Sequence, residues 1–308
     1  MKYCYFFILI IVVLAIVFNF LTAAMTLLLG IVFGLLGTFD QKTTEKSLPL
    51  QKVLLQTSVI GLGFGVNATQ ALEVGFHGIY ISLITILCTF ALAFSLKWFL
   101  GSERKLTLLI ASGTAICGGS AIAAVSPVIK ANAAQTSVAL AVVFVLNAIA
   151  LLIFPPIGHF LELGDTQFGI WCALAIHDTS SVIGASQAFS EESMLIATTA
   201  KLVRAFWIVP LVLIISLGSG FNKKSSFPWF MVGFVAAVLL SSYLPEISTI
   251  STWIVWVARK LLIFTLFLVG MQITVSKLKQ LGIKSFLIGS ITWIILSIMS
   301  LLYVIYMI

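Results

Sequence analysis

The stretch LTLLIASGTAICGGSAIAAVSPVI, residues 106–129, decides how this chain is read. It is apolar and long enough to enter a bilayer. Its middle, Cys117-Gly118-Gly119-Ser120, is what a helix tolerates least. Glycine regains much backbone freedom when a helix opens, and small hydroxyl side chains compete for backbone hydrogen bonds. A second stretch, QFGIWCALAIHDTSSVIGASQAF at 167–189, is interrupted in the same way by His177-Asp178-Thr179-Ser180-Ser181. Opened backbone at membrane depth persists only where protein or a water-filled cavity satisfies it. Interrupted segments in corresponding positions of two halves point to a transporter binding site.

The flanking sequence supplies the rest of a membrane domain. Of 308 residues, 61% are hydrophobic and 9% charged, against roughly a quarter charged in soluble domains. Further apolar runs fall at 3–20, 22–39, 53–69, 76–99, 136–154, 194–217, 227–243, 252–275 and 285–308, with no strand-like alternation. This pattern predicts an all-α polytopic membrane protein, an inverted-repeat transporter with two broken helices, re-entrant or discontinuous, and about 9–11 transmembrane segments. One integral domain over 1–308 is expected, with a core at 106–217 and scaffold segments at 1–105 and 218–308 that also offer a dimerisation surface. The run after Lys2 reads as an uncleaved first helix, because no small-residue cleavage site closes it.

Two internal similarities suggest repetition. Ala115-Ile116-Cys117-Gly118-Gly119-Ser120 lies over Ala175-Ile176-His177-Asp178-Thr179-Ser180, and Gly63 and Gly75 lie over Gly270 and Gly282. The two spacings differ, which excludes a simple tandem duplication.

The net charge of +7 sits in short gaps, so it reads as orientation and not as a nucleic-acid surface. Basic gaps hold Lys2, Lys42/Lys46/Lys52, Lys97/Arg104/Lys105, Lys130, Lys223/Lys224 and Lys277/Lys279/Lys284; acidic gaps hold Glu73, Glu162/Asp165, Glu191/Glu192 and Glu246. If both interrupted stretches dip in and return, every basic gap faces the cytoplasm and every acidic gap faces out. The N-terminus is then on the cytoplasmic side of the inner membrane and the C-terminus on the external side. Two full crossings interrupted at mid-membrane are the alternative. Arg259 and Lys260, near the outer face in this topology, count against it.

Asp178 is the only carboxylate deep within an apolar run. An ionisable group there is costly and functional by default. With His177 beside it, the pair is a candidate for proton coupling, the alternative being that both residues cap half-helices. Lys201 and Arg204, three residues apart, share one helix face. Asp178 can neutralise only one of them, so the excess positive charge favours an anionic solute; pairing with Asp178 and backbone carbonyls is the competing role. Gly118, Gly119 and Ser120 would let a ligand approach backbone amides at a helix start, with Thr179, Ser180 and Ser181 adding hydroxyl donors and Asn147 a further lining group. Their competing role is to permit close helix crossing.

Cys4, Cys88, Cys117 and Cys172 lack metal or disulfide spacing, and no Walker A, HExxH or GxSxG pattern occurs. No cofactor and no enzymatic activity are therefore expected. Trp229, Trp253, Trp256, Trp293, Tyr3 and Tyr243 read as interfacial anchors.

The 109–129 stretch, together with Ile176-His177-Asp178-Thr179-Ser180-Ser181-Val182-Ile183-Gly184-Ala185, Lys201-Leu202-Val203-Arg204 and Pro228-Trp229-Phe230, closely resembles the motifs of the YeiH-type sulfate exporter family. The resemblance covers nearly the whole chain. It implies a relation to inverted-repeat cation/proton antiporters and bile-acid symporters, a core moving against a scaffold, and export of sulfate or a sulfonate-like anion, coupled to protons or Na+. Some members carry a basic residue in the Leu62-Gly63-Phe64-Gly65 stretch, where this chain has none, which puts the substrate in doubt. A channel or sensor, and an intramembrane enzyme using Ser120 or Cys117 with His177, are the rival classes.

Overall fold

The computed structural model describes residues 2–18, 20–37, 41–66, 68–219, 229–244, 248–275 and 282–308, and the regular elements among them are α-helices. In chain order these are α1 (Lys2–Val17), α2 (Ala23–Leu35), α3 (Gln41–Gly63), α4 (Ala68–Leu100), α5 (Arg104–Ala115), α6 (Gly119–Val128) and α7 (Ala133–Phe160). They continue as α8 (Asp165–Ala175), α9 (Thr179–Phe189), α10 (Glu191–Ala205), α11 (Ile208–Ser219), α12 (Trp229–Tyr243), α13 (Ser248–Gly270) and α14 (Ile283–Met307). By length and composition, five described stretches can cross a membrane: Gly78–Leu100, Ala134–Phe160, Glu191–Leu217, Ile250–Gly270 and Ile283–Met307.

The chain packs as two compact units, residues 1–71 with 228–275 and residues 72–227 with 276–308. In the first, α13 crosses α2 at glycines. A Cβ on Gly270 would lie 2.5 Å from the Leu27 carbonyl oxygen, and one on Gly30 would lie 2.3 Å from that of Phe267. Lipid gives apolar helices no reason to associate, so backbone-to-backbone approach at small residues supplies the packing. Gly63 meets α12 similarly, with the Phe234 carbonyl 2.8 Å from its ideal Cβ. Lys260 donates to the Ile16 carbonyl at 3.0 Å, meeting an open carbonyl at the end of α1.

In the second unit α14 packs on α5, α7 and α8. The Trp171 indole N–H donates to the Ser297 carbonyl at 3.0 Å, and the Gln167 amide donates to that of Val304 at 3.2 Å. Trp293 is not an interfacial anchor. It lies mid-way along α14, is buried, and stacks on Phe154, which stacks in turn on Trp171. Trp229, Trp253, Trp256 and Tyr243 are exposed.

The 194–217 run is not one uninterrupted helix either. Pro210 has no N–H to offer Phe206 and its ring crowds that carbonyl, so α10 and α11 are separated at Phe206–Trp207. Among the gap charges, Lys223, Lys224, Glu246, Lys277 and Lys279 lie outside the described residues, as do the side chains of Lys2, Cys4, Lys42, Lys46, Lys52, Glu73 and His77 and of the Tyr3 anchor.

Gly270→Val is expected to lower the thermal unfolding midpoint in detergent by several degrees, since its branches would strike α2 backbone. Gly78→Ala, whose Cβ would meet only Val203 at an ordinary 3.7 Å, is expected to leave it unchanged.

Candidate functional site

The two interrupted stretches each fold as a pair of short antiparallel helices. In the first, Lys105 near the start of α5 donates to the Lys130 carbonyl just past α6 at 2.9 Å. Further in, a Cβ on Gly113 would lie 2.8 Å from Ile122 Cδ1. In the second, the Ser190 hydroxyl after α9 hydrogen-bonds Asp165 at the start of α8, and the Phe168 and Phe189 rings stack at 4.0 Å. Arms of 12, 10, 11 and 11 residues rise about 15–18 Å, half of a hydrocarbon core.

Helix α7, 28 residues long, relates the two hairpins. Near its start Gln135 hydrogen-bonds Glu103 and Thr136 lies 2.7 Å from Ser126, so the open end of the first hairpin is here. Near its end Gly158 abuts Phe168 and His159 stacks on Phe189, so the open end of the second is there. Both tips reach the middle. Gly118 sits against Val143, and the His177 amide donates to Asn147 Oδ1 at 3.0 Å. The hairpins therefore enter from opposite ends of α7 and meet tip to tip.

At that meeting Gly118 has φ +62° and ψ −121°, a conformation left to glycine. A Cβ there would be 3.0 Å from the Cβ of Asp178 and 3.2 Å from Val143 Cγ1. Conformation and space both require glycine.

Four helix ends converge at the tips, and each end carries a partial charge and unpaired backbone groups. The carboxylate of Asp178 caps α9, accepting from the amides of Ser180 (3.0 Å) and Ser181 (3.1 Å) and from both their hydroxyls. From α10, Lys201 Nζ donates to the carbonyls of Ala173 (3.2 Å) and Ile176 (2.7 Å) at the end of α8. One turn on, Arg204 donates through Nε to the Ala115 carbonyl at the end of α5 (2.6 Å) and through Nη1 to that of Leu174 (3.0 Å). Arg204 thus ties the two hairpins together. The fourth end, the start of α6, has glycine at its cap and no charged partner; the neutral Cys117 thiol meets the Ala121 amide and the Ser120 side chain. Its first intrahelical donor is the Ile122 amide, bonded to the Gly118 carbonyl at 3.2 Å, so the amides of Gly119 and Ser120 precede the ladder.

The family described as Conserved hypothetical protein 698 matches residues 5–289. The chain belongs to this family. A UPF0324 membrane protein of Shewanella oneidensis is 42% identical over 93% of this chain and 90% of its own. Others, of Bdellovibrio bacteriovorus and Vibrio parahaemolyticus, are each 44% identical, covering 91% and 92% of this chain and 88% and 92% of theirs. No solved structure matches. With its relatives and its long apolar helices, this family member is a multi-pass membrane protein.

Within this fold the candidate site residues lie at or beside the tips, but they are not equally accessible. Lys201 and Arg204 are 0% exposed, and Asn147, His177, Ser180 and Ser181 are 1% exposed. Thr179 and Gly118 are also buried, whereas Gly119 and Asp178 are half-buried and Ser120 is exposed. The accessible polar surface is therefore the start of α6 beside Asp178. No ion pair joins Asp178 to either cation among the described residues; backbone carbonyls take its place. Asn147 holds the opened backbone at His177. Both ring nitrogens of His177 are buried without partners, so they form no hydrogen bond with Ser120 or Cys117. Arg204 Nη2, Asn147 Nδ2 and Thr114 Oγ1 are likewise buried and unpartnered. The sequence reading missed the carbonyls of Ala115, Ala173, Leu174 and Ile176, and the apolar side chains of Leu140, Val143 and Phe144 on α7.

Lys201→Met is expected to destabilise the protein by about 1–3 kcal/mol for each carbonyl left without a donor, read as thermal unfolding in detergent. Arg204→Lys should also destabilise, because an ammonium cannot reproduce the planar fork that spans Ala115 and Leu174.

Proposed function

We propose that this protein is a secondary carrier for a small anion, built as an inverted repeat. In this arrangement α5–α6 and α8–α9 are re-entrant hairpins that enter the inner membrane from opposite faces, among about nine full crossings. The basic open end at Arg104, Lys105 and Lys130 faces the cytoplasm and the acidic one at Glu162, Asp165, Glu191 and Glu192 faces out, with the N-terminus inside and the C-terminus outside. Residues of the 106–217 core hold the solute, and the remaining helices serve as scaffold and dimerisation surface.

One observation supports this reading above the others. Of the four helix ends at the tips, three have charged partners and the start of α6 has none. That end carries positive partial charge and free amides, and it is the one bordered by exposed Ser120. The solute anion is the partner that completes it. Gly119 and Ser120 contact the solute, Gly118 allows its approach, and Asp178 with Thr179, Ser180 and Ser181 holds the opposing tip. Lys201 and Arg204 act by positioning the hairpins and by leaving the site net positive, since two cations face one carboxylate. His177, buried with free ring nitrogens, is the group through which a proton would couple.

Proteoliposomes test the reading. Ser120→Leu, at an exposed position, is expected to abolish anion exchange while the unfolding midpoint stays within a degree or two of wild type. Normal exchange in that variant contradicts the site. Single cysteines at Ser102 and Ala131 should react with an impermeant maleimide from one face only, and those at Gly164 and Glu191 from the other. Reaction of Ser102→Cys and Ala131→Cys from opposite faces would rule out the hairpin.

A further inference from the structure

We infer that the turns at 64–66 and 271–273 are a matched pair of hinges, made by an inverted duplication of α2–α3 as α12–α13, and that each is held by its own side-chain tie. The inference goes beyond the carrier reading and does not depend on what the solute is.

The duplication is written in the contacts of the first unit. Gly63 on α3 and Gly270 on α13 are 207 positions apart. A Cβ on Gly63 would meet the Phe234 carbonyl oxygen at 2.8 Å and Ala237 Cβ at 3.0 Å. One on Gly270 would meet the Leu27 carbonyl oxygen at 2.5 Å and the Gly30 carbonyl carbon at 3.0 Å. Leu27 and Phe234 have the same spacing, and so have Gly30 and Ala237. The Ser241 hydroxyl donates to the Phe64 carbonyl at 2.7 Å. At the corresponding positions, a Cβ on Gly34 would lie 2.8 Å from the Met271 carbonyl oxygen. The turns repeat as well. The Gly65 amide donates to the Leu62 carbonyl (2.9 Å) and that of Val66 to Gly63 (3.2 Å), as the Gln272 amide does to Val269 (3.1 Å) and that of Ile273 to Gly270 (3.0 Å).

The two copies run in opposite directions. On α3 and α12, Ile60 faces Gly233, Gly63 faces Phe234 and Phe64 faces Ser241, so these helices are parallel. On α2 and α13, Gly30 faces Phe267 and Gly34 faces Ile273, so these are parallel too. Helices α3 and α13 are antiparallel, because Gly61 meets Ala258 while Gln51 meets Gln272. Hence α2 and α12 point oppositely, as a two-fold axis in the membrane plane requires.

Position makes these turns hinges. The chain leaves the first unit at 71 and again at 275, a few residues past each turn. Both turns are closed by i→i+3 bonds, whose poorer geometry lets a helical connection bend, and element ends are where hinge motion is absorbed. The ties differ. At the first turn Ser241 holds the Phe64 carbonyl, and the Ser242 hydroxyl accepts from the Ala68 amide at 2.9 Å. Gly34 and Leu35, at the corresponding positions, have no hydroxyl. At the second turn buried Gln272 hydrogen-bonds Gln51. Gly65 and Ala258, at the corresponding positions, have no polar side chain. Because the copies are inverted, the two hinges serve opposite faces, and loosening either tie favours the state that opens on its own face.

Spin labels at Trp253→Cys on α13 and Trp98→Cys on α4, with the native cysteines replaced by alanine, test this in lipid nanodiscs without any solute. Double electron–electron resonance is expected to show two separations. Ser241→Ala combined with Ser242→Ala should raise the ratio of one population to the other about fivefold, the weight of one net hydrogen bond. Gln272→Leu should shift it the opposite way. Ser242→Ala alone should move the ratio as the double variant does, and it serves if the double variant does not fold. Opposite shifts sustain the hinge pair. Shifts in the same direction, a shift at one tie only, or none overturn it. The carrier reading is untouched by that failure, because flux of solute is not what is measured.

Discussion

Backbone polar groups at a helix end cannot be left bare inside a low-dielectric core, and this chain brings four such ends to one place. Everything else at the tips follows from how each end is met. Two carbonyl ends, at α5 and α8, receive ammonium and guanidinium donors from a single helix, α10. One amide end, at α9, receives the Asp178 carboxylate. The cations are therefore committed to the backbone and cannot be counted as free hands for a ligand.

Packing turns this electrostatic arrangement into a defined geometry. Helix α7 fixes where each hairpin opens and where its tip stops, with Gln135, Val143, Asn147 and Gly158 marking successive levels along it. Gly118 permits the tips to touch. Arg204 then binds Ala115 on one hairpin and Leu174 on the other, so neither tip can withdraw without breaking a charge-assisted hydrogen bond. Just beyond Arg204, α10 and α11 are separated at Phe206–Trp207, one turn before Pro210.

That helices end close to Gly118-Gly119 and to Asp178-Thr179-Ser180-Ser181 was legible in the sequence, because these residues conflict with helix propensity inside otherwise apolar runs. Charge at depth was legible too, since Asp178, Lys201 and Arg204 stand out in apolar surroundings. What those charges touch was not. Their partners are carbonyls of Ala115, Ala173, Leu174 and Ile176, and every residue has a carbonyl, so no pattern of side chains announces the pairing. Asn147 could be noticed as polar, but its bond to the His177 amide depends on the long-range placement of α7 against the second hairpin. Trp293 was misjudged because its level in the helix depends on where α14 begins, which apolar content alone does not fix. Pro210 was a signal available in the sequence and was the reason for a break that the apolar run concealed.

A crystal structure with bromide present, read by the anomalous scattering of the ion, would test the central claim most directly. The anion is expected at the Gly119 and Ser120 amides, with Lys201 and Arg204 still on their carbonyls. Bromide lodged between Lys201 and Arg204, with the ends of α5 and α8 released, would contradict it.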